Sequence, residues 1–194
     1  ILEKILTGLE MASKVGFKQI KINTVIQKGI NDNEIIDLLN FFKNKPFIVR
    51  FIEFMDVGNR NQWERSKVVP SKLIHDFINK KYPLEPKKPN YLGEVADRYI
   101  FKDGSGEVGF ISSVSQPFCQ NCTRARITSD GTFFTCLFAS KGINLKPLLA
   151  DGRSSEDLEK LIAETWSKRS DRYSEERTQK TDASKKMEMN HMGG

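Results

Sequence analysis

An α/β architecture with a parallel sheet is what this sequence predicts, and three observations carry it. Amphipathic helical segments alternate with apolar strand segments over residues 1–55, in the order helix, strand, helix, strand. The second strand, Phe47-Ile48-Val49-Arg50-Phe51-Ile52-Glu53-Phe54-Met55, is nearly continuous in apolar residues, as a parallel strand buried on both faces is. Beyond residue 92, short strand segments flank turn signals and announce a smaller part of different character.

The chain opens on a helix with Ile1, Ile5, Leu9 and Ala12 near one face, stopping at Gly16. A strand follows, its Ile20, Ile22 and Ile26 alternating against Lys21 and Asn23. Asn31 is placed to cap the next helix, with Glu34 completing a capping box, and Ile35, Leu39 and Phe42 line that helix. After the apolar strand, residues 56–70 read as a polar loop, and Leu73, Ile74, Phe77 and Ile78 mark a short helix. The Pro- and Lys-rich stretch 82–92 reads as a connector. Val95–Phe101 and Glu107–Val114 flank Asp103-Gly104-Ser105-Gly106 as a hairpin. A last helix starts near Ser154, with Leu158, Leu161, Ile162 and Trp166 on its core face. From about residue 168 the chain is polar and basic and reads as an extended tail.

Composition narrows the function classes. The 194 residues are 38% hydrophobic and 29% charged, which is a globular, soluble balance. No apolar run approaches the ~18 residues of a membrane span, and the amphipathic start carries no signal-peptide cleavage site. The net charge of +6 favours anionic partners, a phosphate-bearing small molecule or a nucleic acid, although part of the excess lies in the polar tail and serves solubility. The three cysteines, Cys119, Cys122 and Cys136, are odd in number and close in sequence. That argues against a disulfide framework and for metal chemistry in a reducing compartment, the cytoplasm.

The cysteine segment reads Phe118-Cys119-Gln120-Asn121-Cys122-Thr123-Arg124-Ala125-Arg126-Ile127-Thr128-Ser129-Asp130-Gly131-Thr132-Phe133-Phe134-Thr135-Cys136-Leu137. Asp130-Gly131 is a hairpin signal, and its two arms would bring Cys136 back beside Cys119 and Cys122. A closed structural zinc site wants a fourth Cys or His, and the two histidines, His75 and His191, are distant in sequence. A [4Fe–4S] cluster held by three thiolates keeps one iron open to an outside ligand. Cluster, zinc and unliganded thiols all remain open on spacing alone. Arg124 and Arg126 alternate on the departing strand and so share a face, where two guanidinium forks suit a phosphate or a purine edge. The bland alternative is a solvated basic edge. Two charges, Arg50 and Glu53, sit inside the apolar strand, where burial is costly unless they are paired or hold a ligand. Lys21 in the preceding strand favours the ligand reading over a structural ion pair.

The run FCQNCTRARITSDGTFFTCLFA resembles the C-terminal cluster motif of the GTP 3′,8-cyclase family of radical S-adenosylmethionine enzymes. KINTVIQKGINDNEI, VRFIEFMDVGN, GEVADRY and the terminal HMGG match in the same order along nearly the whole chain. The resemblance implies the C-terminal part of an incomplete parallel (α/β) TIM-like barrel followed by a small α+β iron–sulfur domain. Residues 1–60 would be the last barrel units, 61–167 the auxiliary cluster domain and 168–194 the polar tail. Cys119, Cys122 and Cys136 would hold an auxiliary [4Fe–4S] cluster whose open iron meets the guanine of GTP. Lys21, Arg50, Arg124, Ala125 and Arg126 match GTP-contacting positions, and Met55 matches a residue contacting S-adenosylmethionine. Gly193 and Gly194 match a terminal double glycine that reaches toward the active site.

The implied reaction converts GTP to (8S)-3′,8-cyclo-7,8-dihydroguanosine 5′-triphosphate, the first step of molybdenum cofactor (molybdopterin) biosynthesis. The implied assembly is a homodimer, with cyclic pyranopterin monophosphate synthase next in the pathway. The family's second cluster sits on an N-terminal CxxxCxxC motif, which this sequence lacks. That cluster generates the radical from S-adenosylmethionine, so the chain is expected to be a part of such an enzyme and inactive alone, with no catalytic residue of its own. Two other readings compete. A stand-alone metal module could bind nucleic acid, but the aromatics lie in apolar runs rather than where they would stack bases. An auxiliary-cluster domain of a peptide-modifying radical enzyme would need more cysteines.

Overall fold

In the computed structural model, which describes residues 1–58, 60–177 and 187–192, the two apolar strands pair in parallel. β1 (Ile20–Ile26) lies beside β2 (Phe47–Glu53), with Ile20 opposite Phe47 and Ile26 opposite Glu53. Between them runs α2 (Ile35–Phe42), preceded in the chain by α1 (Leu2–Lys14). Next come α3 (Ser71–Lys81), β3 (Leu84–Lys87), β4 (Asp97–Phe101) and β5 (Glu107–Ile111). The five strands form one sheet in the order β1-β2-β5-β4-β3, parallel from β1 to β5 and antiparallel from β5 to β3. The protein is therefore mixed α/β with a parallel-containing sheet.

One face of this sheet is the core. Ile26, Val49, Phe51, Val108 and Phe110 point into it and meet Ile35, Leu39 and Phe42 of α2 and Ile74 and Ile78 of α3. Phe51 and Val108 are fully buried. Truncating a phenylalanine in such a place costs about 3–5 kcal/mol. α1 docks on the same cluster through Leu6 and Leu9. The expected stripe is Ile1, Ile5, Leu9 and Ala12, but Ile1 and Ile5 are exposed. Leu6 replaces Ile5 because the 3.6-residue period lets a stripe lean either way, and only the docked neighbour selects the edge.

Two further expectations are corrected. Asn31 does not cap α2: its carboxamide accepts from Gln27 N at 2.9 Å and donates to the Val25 carbonyl, while Glu34 itself occupies the cap without a side-chain bond. Asn31 closes the β1–α2 turn instead. The stretch 82–92 is not only a connector, since Leu84–Lys87 pairs with β4 as an edge strand. Its proline is tolerated there because an edge strand need not donate on both sides.

Cα packing divides the chain into two units. The first comprises Ile1–Phe54 and Arg65–Pro117, and the second comprises Met55–Glu64 and the described residues from Phe118 onward. The division falls at other points than residues 60 and 167 because β5 extends the parallel pair while the loop after β2 joins the later segment. The second unit holds a three-stranded antiparallel sheet, β6 (Arg126–Ile127), β7 (Thr132–Phe134) and β8 (Ile143–Asn144), then α4 (Lys146–Ala150), α5 (Ser155–Ser167) and α6 (Tyr173–Glu176). α5 starts as expected, under a capping box in which Ser154 and Asp157 exchange hydrogen bonds. Residues 169–177 are not an extended tail: they return to the cysteine segment and to Asp56. Among the described residues no helix is long and apolar enough to cross a membrane.

Candidate metal and substrate site

Strand parity places Lys21, Asn23 and Arg50 on the sheet face opposite the core, with Asn23 directly across from Arg50. Lys21 is exposed and Arg50 half-buried. Arg50 lies over Gly109 of β5, where an added Cβ would sit 3.2 Å from the Arg50 Cγ. Its guanidinium reaches Glu94 at 3.3 Å. From there charges alternate along the face: Glu94 to Arg98 at 3.9 Å, Arg98 to Glu107 at 2.7 Å and Glu107 to Lys87 at 2.7 Å. Burial would raise the Glu107 carboxyl, but its bonds to Arg98 and Lys87 overcome this and hold it below the ordinary 4.5. Glu94 also accepts from the Asn90 backbone. Arg50 is thus held from one side, leaving part of its guanidinium accessible.

Glu53 has the other fate. It points into the core and is 0% exposed. One carboxylate oxygen accepts from Ser71 N at 2.7 Å and from the Ser115 hydroxyl; the other accepts from Val114 N and Ser115 N, both at 2.7 Å. α3 has no side-chain cap of its own, so Glu53 caps it from another element and places negative charge at its N-terminus. The alternation of a strand thus separates two charges in one apolar run: Arg50 faces the open side and Glu53 supports the core.

In the second unit the cysteine segment folds as a tight turn and a hairpin. Cys119–Asn121 is a single 3-10 turn closed by Cys122 N on the Cys119 carbonyl at 3.2 Å. β6 and β7 pair with Arg126 opposite Phe134. The connection Thr128–Gly131 is closed by Gly131 N on the Thr128 carbonyl at 2.8 Å, and Asp130 accepts from the Thr128 hydroxyl and from Thr132 N. Gly131 has φ +81, a conformation that disfavours any Cβ. The expected hairpin therefore forms, and it returns Cys136 to the neighbourhood of the other two thiols, which feel one another's charge.

The electrostatics of the three differ. Burial tends to raise the Cys122 thiol, but the backbone and side-chain N–H groups of Arg124, with the charges of Arg124 and Arg169, bring it below its ordinary value. Cys136 is pushed up, first by burial and then by Asp171 and its fellow cysteines, against an opposing bond from Phe138 N at 3.4 Å. Arg126 is lowered by burial and by Arg124 beside it, and its Nε is buried with no hydrogen-bond partner. Such a donor normally has an acceptor. Arg124 is exposed, 5.0 Å over the Phe118 ring, and Ala125 is exposed between the two arginines.

Among the described residues, no group of three or more His, Cys, Asp or Glu side chains is gathered to hold a single metal ion. A four-iron cluster makes a different demand, since each thiolate binds a separate iron. The three half-buried free thiols are the candidate ligands for such a group, and the unsatisfied Arg126 N–H beside them is a hydrogen-bond donor, not a ligand. His75 is in the first unit, bonded to Asp76 at 3.0 Å and packed on Tyr99 and Phe110, while His191 is exposed.

The site residues thus fall into two groups. Cys119, Cys122, Arg124, Ala125, Arg126 and Cys136 are brought together in the second unit, whereas Lys21 and Arg50 share a face of the first. Met55 opens the loop of the second unit, its carbonyl accepting from Asn61 at 2.8 Å. Gly193 and Gly194 lie outside the described residues. Sequence reasoning missed Glu94 as the partner of Arg50, although it lies in the GEVADRY run, and missed Asp56, which bonds Tyr173 and Arg177.

Residues 47–175 match the family model described as Molybdenum Cofactor Synthesis C, which takes in β2 to β5 and the whole cysteine hairpin but not β1. The chain belongs to that family. It is also similar to proteins named GTP 3′,8-cyclase: 46% identical over 193 residues to one from Xanthomonas campestris pv. campestris (strain 8004), covering 100% of this chain and 56% of the relative. A second, from Staphylococcus carnosus (strain TM300), is 47% identical over 196 residues, covering 99% of this chain and 57% of the relative. The chain therefore spans just over half the length of these relatives.

Proposed function

We propose that this chain is the C-terminal part of a GTP 3′,8-cyclase, acting in the first step of molybdenum cofactor biosynthesis. In this reading residues 1–60 complete a parallel α/β barrel whose remaining units lie in the rest of the enzyme. Cys119, Cys122 and Cys136 hold an auxiliary [4Fe–4S] cluster. When bound, that cluster supplies an open iron that anchors the purine. Arg124 and Arg126 grip the nucleotide beside it, Ala125 leaves room between them, and Lys21 and Arg50 contribute charge from the sheet. Met55 contacts S-adenosylmethionine, and Gly193 and Gly194 complete the active site. The second cluster, which cleaves S-adenosylmethionine, belongs to the part of the enzyme with the CxxxCxxC motif, so this part binds GTP without turning it over.

The observation that carries the reading is the buried, unpartnered Nε of Arg126 near Cys122 and Cys136. A guanidinium N–H that has lost water and found no protein acceptor, on a side chain still partly exposed, suits an anionic or purine acceptor. The test is GTP calorimetry on the cluster-loaded chain, with iron measured on the same samples. Arg124→Ala and Arg126→Ala should each weaken GTP binding about ten- to a hundredfold, the loss of a charge-assisted contact of about 1.5–3 kcal/mol, with iron unchanged. Lysine at either position should rescue only in part, because an ammonium lacks the planar fork. Parent-like GTP binding by both alanine variants at full iron content would make the arginines a solvated edge and remove the substrate face from this reading.

A further inference from the structure

Residues 169–173 straddle the cysteine segment. Arg169 emerges just after α5 and its guanidinium carbon sits over the Trp166 ring, 3.8 Å from the centroid. From that platform its Nη2 donates to the carbonyl of Cys122 at 2.5 Å. Asp171, two residues on, accepts from the hydroxyl of Thr135 at 2.5 Å, immediately before Cys136. Tyr173 then stacks on Phe138, two residues after Cys136, with ring centroids 4.4 Å apart. α6 itself packs against the Cys119–Asn121 turn. The far end of this segment is fixed to the loop after β2 by Tyr173 and Arg177 on the buried carboxylate of Asp56.

We infer that Arg169 and Asp171 are positioning residues for the three-cysteine site, a clasp that sets the spacing between the Cys119–Cys122 turn and the strand carrying Cys136. The inference rests on the cluster reading above and extends it to residues outside the cysteine motif. The three-stranded sheet fixes the strand leading to Cys136 relative to β6 and β8. The turn bearing Cys119 and Cys122 precedes β6 and is closed internally by two backbone bonds, Asn121 N to the Phe118 carbonyl and Cys122 N to the Cys119 carbonyl, and the β6–β7 ladder begins only at Arg126. Arg169 holds that turn by the backbone of its last residue, and Asp171 holds the other arm one residue from its thiol. A guanidinium on an indole is pre-oriented, so little freedom is lost when its fork meets the carbonyl. Groups that orient ligands without touching the metal commonly set the affinity and electronic character of a site.

The test compares Arg169→Ala, Arg169→Lys, Asp171→Ala and Thr135→Val with the parent, as full chains, by hydrogen exchange without metal and by iron content and electron paramagnetic resonance after anaerobic reconstitution. Arg169→Ala should speed exchange of the amides in 118–123 about tenfold while β1 and β2 are unchanged. The reduced-cluster spectrum should change line shape and the cluster should be lost to a chelator about tenfold faster. Arg169→Lys should recover part of each effect, since an ammonium still reaches the carbonyl but lacks the planar fork of the guanidinium. Asp171→Ala and the near-isosteric Thr135→Val should speed exchange in 133–137 to similar extents. Parent-like exchange and parent-like spectra in all four variants would overturn the clasp. A parent chain that takes up no four-iron cluster would instead overturn the cluster reading, and faster exchange in the variants would then leave a clasp without that ligand.

Discussion

Replacing Glu53 with glutamine removes one negative charge and one acceptor while keeping the shape of the side chain. The carboxylate is fully buried and collects four donors, from Ser71 N, Val114 N, Ser115 N and the Ser115 hydroxyl. The amide has a single acceptor oxygen, so two of the donors will face its NH2 group. The least costly orientation keeps the oxygen on Val114 N and Ser115 N, because the Ser115 hydroxyl can rotate and accept instead. Ser71 N, at the first turn of α3, is then left without an acceptor, which costs about 1–3 kcal/mol. The remaining bonds drop from charge-assisted to neutral strength, and the helix loses a favourable charge at its N-terminus, together about 1–2 kcal/mol. Glu53→Gln should therefore destabilise the first unit by about 2–5 kcal/mol, a large share of the roughly 5–15 kcal/mol that keeps a domain folded. Urea denaturation followed by circular dichroism reads the total. Hydrogen exchange at Ser71, Val114 and Ser115 assigns it to this carboxylate. A loss under about 0.5 kcal/mol with an unchanged denaturant slope and no local exchange effect would refute the assignment of Glu53 as the cap of α3.

Three further outcomes follow from the same geometry. Ser71→Ala should be neutral or stabilising by up to about 1 kcal/mol in the same urea titration, because its buried hydroxyl has no hydrogen-bond partner to lose. Gly109→Ala should cost about 1 kcal/mol of stability, since the new methyl meets the Arg50 Cγ at 3.2 Å and displaces that side chain, and, on the proposed role of Arg50 in holding GTP, should also weaken GTP binding by calorimetry. Glu107 is held below its ordinary value, so the stability it contributes is complete above pH 4.5 and is lost as the pH falls through its lower native value. Urea midpoints measured at pH 7 and pH 3 should therefore converge in Glu107→Gln relative to the parent.

How much of the fold is legible in the sequence depends on how local the determining physics is. β1 and β2 can be read because the period-2 pattern of Ile20, Ile22 and Ile26 and the apolar run after Phe47 depend only on which face is buried. The Thr128–Gly131 turn can be read because Asp-Gly satisfies its own backbone geometry, whatever the rest of the chain does. β3 cannot, since a four-residue edge strand containing Pro86 is stabilised by β4 rather than by its own residues. The Asn31 capping box fails for a related reason: the motif supplies a donor and an acceptor, and the β1–α2 turn takes both.

The charged residues make the same distinction at the level of function. Arg50 and Glu53 stand out in the sequence because an apolar strand does not carry charge without compensation, and the period of 2 alone assigns them to opposite faces. What compensates each is not written in the strand. Glu53 is compensated by four hydrogen-bond donors from one loop and a helix start, none of them a cation. Arg50 is paired with Glu94, brought to it by the β4–β5 hairpin. The cysteine segment shows the converse. Spacing and turn chemistry announce a three-thiol site, yet the groups that hold its two arms, Arg169 and Asp171, lie in residues whose composition reads as a solvated tail. A motif is visible where a ligand needs particular atoms at fixed sequence spacing. Its supports can come from any element that packs against it, and only the folded chain assigns them.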